Sequence, residues 1–152
     1  MPMKTSPATD RIIKRMKPGA LTRDGFLGND DRPLHEIIDA DDEAVTRLGL
    51  THAGIANRLE YLAEIGRKGY GTPMSYMKTY QITVEEVKGR IACPWGRCGT
   101  FPKGTIKIRN LNSDIEVQTT PLGIHMIRCH GFYQGRGAPY RLEPDVLRYT
   151  LW

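Results

Sequence analysis

All three cysteines and two of the four histidines in this 152-residue chain fall in two short segments. The first is Cys93-Pro94-Trp95-Gly96-Arg97-Cys98-Gly99, and the second is His125-Met126-Ile127-Arg128-Cys129-His130-Gly131. Thiolate and imidazole are the ligands zinc prefers, and structural zinc usually takes four of them in a tetrahedron. Cys-x4-Cys followed by His-x4-His therefore predicts a zinc site built from Cys93, Cys98, His125 and His130. The second segment leaves an alternative open. On a regular helix Cys129 lies about 40° from His125 and His130 about 140° from it, so His130 needs the helix to loosen, and Gly131 supplies a break. Two thiolates and two neutral imidazoles would cancel the charge of the ion, so the site could be buried as a neutral unit.

Such a site constrains the fold around it. The cysteine turn must face the helix that carries the histidines, and the sequence between them reads as a hairpin. Thr105 to Arg109 and Ile115 to Thr119 alternate as strands, joined by the loop Asn110 to Asp114. Thr120 is a helix N-cap with Pro121 in the first turn, and the helix Leu122 to His130 ends at Gly131. Upstream, Tyr76 to Val84 and Val87 to Ala92 read as two strands with Lys88-Gly89 as the turn between them. Beyond the site, Pro139 to Trp152 predicts a strand and a short helix from Pro144.

The first seventy residues have a different pattern. Pro33 is expected in the first turn of a helix that continues with Leu34, Ile37 and Ile38 and runs through the acidic group Asp39, Asp41, Asp42 and Glu43 to a stop at Gly49. This predicts one interrupted helix or two short ones. The acidic group matches no calcium loop and reads as a solvated helix face. Thr51 caps a second helix over 52–68, with Ile55, Leu59, Leu62 and Ile65 as its apolar stripe. His35 and His52 read as surface or capping residues. The fold class expected is α+β, with a helical segment followed by an antiparallel sheet that carries the zinc module. The divisions are 1–20 as a flexible basic arm, 21–70 as the helical segment and 71–152 as the sheet.

The net charge of +5 is unevenly placed: +4 over 1–20, −3 over 21–90 and +4 over 91–152. Basicity thus sits in the arm and the cysteine/histidine half, which keeps nucleic acid as a partner class alongside another protein. The nucleic-acid reading would use the arm with Lys103, Lys107, Arg109, Arg128, Arg136 and Arg141, and Trp95, Phe132 and Tyr133 for stacking. No apolar run approaches the ~20 residues a membrane helix needs, and no signal-peptide core is present, so no membrane partner and a cytoplasmic location are expected. The Gly-rich stretch 131–141 could cradle a phosphate, but it lacks a Walker or dinucleotide pattern, and loop geometry explains it as well. An enzyme with an open zinc position would need Glu116 or Glu143 as base. Four candidate ligands argue for a closed site instead, and no catalytic constellation stands out.

Order of elements and ligand types over residues 90–131 resemble the plan of a Cys2His2 zinc finger, in which a strand turn gives two thiolates and a helix two imidazoles. The 26 residues between Cys98 and His125 are about twice the ~12 of that family. The family's phenylalanine and leucine spacing is missing too, so the resemblance implies the metal and not DNA reading. The phrase 48–59, LGLTHAGIANRL, resembles the first two helices of a helix-turn-helix, which would need a recognition helix after Gly69. Taken whole, CPWGRCG and HMIRCHGFYQGRGAPYRLEP resemble segments of hypothetical bacterial proteins, which implies no activity.

Overall fold

A computed structural model describes residues 6–152. Three helices come first: α1 (Pro7–Met16), α2 (Leu34–Arg47) and α3 (His52–Arg67). The strands β1 (Met74–Tyr76), β2 (Tyr80–Ala92), β3 (Thr100–Asn110) and β4 (Ile115–Thr119) follow, and then α4 (Pro121–His130) and α5 (Pro144–Leu151). The strands form one antiparallel meander in the order β1-β2-β3-β4. This is the α+β architecture expected.

Alternation places one sheet face inward. Tyr80, Ile82 and Val84 of β2 are buried, opposite Asn110, Ile108 and Ile106 of β3. Val117 of β4 continues the row beside Ile108. The buried stripe of α3, Ile55, Leu59 and Leu62, lies on this face. Gly66 lets the helix come close, since a Cβ there would stand 2.5 Å from a methyl carbon of Ile82. Ile124 and Ile127 of α4 and Leu147 and Leu151 of α5 complete this first core. The caps follow the local sequence: the hydroxyls of Thr51 and Thr120 accept the N–H groups of Gly54 and Gly123 at 2.9 Å each.

A second core gathers distant parts of the chain. Met16, Phe26, Leu34 and Ile37 pack with Cys93, Leu122, Met126 and Phe132. The stretch expected as an exposed arm is thus, from Pro7 to Met16, a capped helix that lays Ile12, Ile13 and Met16 on this core. Residues 1–5 of that arm lie outside the described residues. The reason is largely non-local: beside Phe26, Leu34 and Ile37, the core that α1 joins is built from residues some 75 to 120 positions later. Burying a side chain of Met16's type stabilises by about 1.5–3 kcal/mol.

Three further expectations are corrected. β2 runs unbroken through Lys88-Gly89, where the pairing with β3 slips between Val87 and Arg90; the positive φ of Gly89, 108°, makes a bulge and not a turn. α2 is one continuous helix, with Pro33 as its N-cap instead of inside its first turn. Residues 139–143 hold no strand. No recognition helix follows α3 either: after Gly69 the chain enters β1.

Candidate metal centre

The turn after β2 is closed by backbone. Gly96 N–H donates to the carbonyl of Cys93 at 2.9 Å, and Cys93 N–H to that of Gly99 at 3.4 Å. Gly96 and Gly99 have φ of 86° and 76°, a region that side chains with a Cβ disfavour. The backbone N–H of Trp95 donates to the sulfur of Cys93. On the other side α4 carries His125 in its middle and His130 as its last residue, and Gly131 closes the helix in the left-handed conformation, φ 59°.

These two pieces bring together Cys93, Cys98, His125 and His130, with one ligand atom from each, all within 4.8 Å of one another. His130 Nε2 stands 3.5 Å from Cys93 Sγ and 3.4 Å from Cys98 Sγ. A tetrahedral zinc with bonds of about 2.3 Å to sulfur and 2.0–2.1 Å to nitrogen would set those separations at about 3.5 Å. The second histidine offers a separate observation: His125 Nε2 is buried and has no hydrogen-bond partner among the described residues. A buried imidazole nitrogen left this way is costly unless something else binds it. The cluster can hold a metal ion.

Aromatic rings fix both imidazoles. Trp95 stacks on His130 with centroids 4.0 Å apart and planes 4° from parallel. Phe101 stacks on His125 at 4.3 Å. The two imidazoles meet edge to face, 83° apart. Behind the cysteine turn, the Arg15 guanidinium donates to the Pro94 carbonyl at 2.7 Å and lies under Gly96.

Burial sets the protonation of the bare side chains. It pushes the Cys93 thiol up to about 11, against the Trp95 N–H, which lowers it. It pushes His130 down to about 4, helped by neighbouring His125, and lowers His125 too, helped by Arg128. The imidazoles are therefore neutral, as ligands must be, and the thiol of Cys93 needs a cation to ionise.

Of the two candidates for the fourth position, His130 joins the cluster. Cys129 is exposed on α4 and is not among the gathered atoms. The other residues singled out in the sequence go elsewhere. Phe132 and Tyr133 are each 1% exposed, so neither is a stacking platform. Arg141 is buried against Asp41, Arg109 pairs with Asp114, and Arg128 donates to Asn57. Glu143 is held by Arg141, which lowers its pKa, while Glu116 faces Arg109 in the β3–β4 register. His52 bridges Asp42 and the Tyr133 hydroxyl, at 2.8 Å to each. What the sequence did not reveal is the support: Phe101 over His125 and Arg15 behind the cysteine turn.

The glycines of 131–141 have a structural explanation. Gly135 N–H donates to the Phe26 carbonyl at 2.8 Å, and Asn29 N–H to that of Arg136 at 2.9 Å. A Cβ on Gly135 would stand 2.2 Å from the Leu27 carbonyl oxygen. Two loops lie backbone to backbone there, tied further by Asp30, which accepts from the Arg136 N–H and from Arg32.

No protein-family model, curated protein or solved structure matches the chain. Among the described residues no helix is long and apolar enough to cross a membrane.

Proposed function

We propose that Cys93, Cys98, His125 and His130 hold a zinc ion, that the ion is structural, and that the protein is an accessory subunit that binds another protein. The observation that carries the zinc reading is the convergence of two sulfurs and two nitrogens within 4.8 Å, at a sulfur–nitrogen spacing suited to tetrahedral zinc. Zinc is preferred over harder cations because thiolate and imidazole are the ligands offered. A structural role follows from the count: four protein ligands fill a tetrahedron and leave no place for a reacting water. The protein-partner reading is supported by exposed apolar surface at one end of the sheet. Tyr61 is 49% exposed and touches Tyr76, and the adjoining Met77 is 74% exposed. The burial of Arg141, Phe132 and Tyr133 weighs against the nucleic-acid alternative.

Elemental analysis of protein purified without added metal tests the core of this reading. One zinc per chain is expected, lost in Cys93→Ser and in His125→Ala and kept in Cys129→Ser. Metal-free wild-type protein that is folded and monodisperse would overturn it.

A further inference from the structure

A cavity of about 260 Å³ lies among the 21–26 loop, the bulged part of the β2–β3 hairpin and the first turn of α4. Phe26, Leu122 and Tyr140 supply apolar wall, and Thr120, the cap of α4, forms part of the lining. Its volume is just below the range that holds drug-sized ligands.

Gln134 lines this cavity and is only 4% exposed, yet its Oε1 has no hydrogen-bond partner among the described residues. The same residue has φ 71°, in the left-handed region that residues other than glycine seldom enter. Its carbonyl accepts from the Arg141 guanidinium at 2.9 Å, and Arg141 is itself clamped by the buried Asp41 at 2.5 and 2.9 Å. An unsatisfied buried amide, a strained backbone and a buried ion pair each oppose folding. All three converge on one residue in a cavity wall, where strain and unsatisfied groups commonly mark binding.

The charges at the lining select the ligand. Arg23 and Asp24 pair with each other at 3.5 Å, while Lys103 has no ion-pair partner among the described residues. The start of the ten-residue helix α4 adds the positive end of its dipole on the same side.

We propose that this cavity binds a small organic anion, with an apolar body against Phe26, Leu122 and Tyr140, an N–H that donates to the Gln134 side-chain oxygen and an acidic group drawn to Lys103 and the start of α4. The acid is a carboxylate or a phosphate, and both present the same chemistry here. This site is independent of the metal reading, since none of the four clustered ligands lines it.

The test titrates the protein as purified with orotate, uridine 5′-monophosphate and neutral uracil, read by backbone amide NMR. Saturable shifts at Gln134, Lys103 and Leu122 are expected for at least one acid, at roughly tenfold tighter affinity than for uracil. Orotate alone would name the carboxylate, uridine monophosphate alone the phosphate, and both the shared chemistry. Lys103→Glu should abolish the preference for the acids. Gln134→Asn tolerates the left-handed backbone, so it should fold with an equal or higher Tm while binding weakens about tenfold or more. No saturable shift at these residues with any probe would overturn the proposal, leaving Gln134 satisfied by water only. Full binding by Gln134→Asn, or uracil binding as tightly as the acids, would overturn it too.

Discussion

Arg15 and Pro94 are 79 positions apart in the chain and joined by a single hydrogen bond of 2.7 Å, guanidinium to carbonyl. Through it the N-terminal helix supports the turn that presents Cys93 and Cys98. Outer partners of this kind orient ligands, and their loss commonly weakens metal binding 10–100-fold. On the zinc reading, Arg15→Met, which keeps most of the apolar stem, should therefore retain the fold and lose the ion about tenfold more readily. Competition with a chromophoric chelator would measure it, and an unchanged affinity would show that the turn holds itself.

On the zinc reading, removing the ion should loosen one half of the molecule before the other. The ion would tie β2, the cysteine turn and α4 together beside the second core, while the first core rests on α3 and the sheet. Hydrogen exchange after chelation should rise in α1 and in 93–101 and change little in α3 and at Ile82 and Ile108. Uniform loss of protection would mean that the two cores form one cooperative unit.

Gly135→Ala should be among the most destabilising small substitutions. Its Cβ would meet the backbone of Leu27, which cannot move without parting the two loops. A loss of about 1–3 kcal/mol is expected by chemical denaturation.

Asp30 should contribute to acid sensitivity. The Arg32 guanidinium and two backbone N–H groups hold its carboxyl well below the usual carboxylate range. A lowered folded pKa gives stability that is present above the unfolded value of about 3.9 and is lost as pH falls below it. Asp30→Asn should thus cost about 1–3 kcal/mol at pH 7 and flatten the fall in stability between about pH 4 and pH 2. Parallel wild-type and variant curves through that window would remove Asp30 from the acid response.

What the sequence disclosed was local in origin. Thr51 and Thr120 cap helices with their own hydroxyls, the strand over Ile115–Thr119 alternates, and the four clustered ligands stand out by rarity. What it hid depends on partners far along the chain. Ile12, Ile13 and Met16 read as part of a basic arm because much of the core they join lies beyond residue 90. Lys88-Gly89 suits a turn and a bulge equally well, and only the partner strand decides between them. The glycines of 131–141 gain their meaning from the loop 25–30. Choosing His130 over Cys129 was legible only in part, since angle along a helix does not specify where the end of the helix opens.

Arg141→Met should remove a support that Asp41 cannot replace. With side chains 9% and 7% exposed, the pair leaves an uncompensated carboxylate when broken. A cost of about 3–5 kcal/mol is expected, and Asp41→Leu in the same background should restore part of it. No recovery in the double variant would assign the loss to packing of the arginine stem.

The second core joins residues 12–38 to residues 91–132. During synthesis the first group leaves the ribosome well before its partners exist. At about 5–20 residues per second, Met16 waits on the order of ten seconds for Phe132. Over that interval the apolar side of α1 has only nearby residues such as Phe26, Leu34 and Ile37 to cover it, and α3 can form before the N-terminal helix completes its docking. The order in which the polypeptide is made is therefore not the order in which it closes. The nascent chain is most open to chaperones, proteases and stray association at its oldest end.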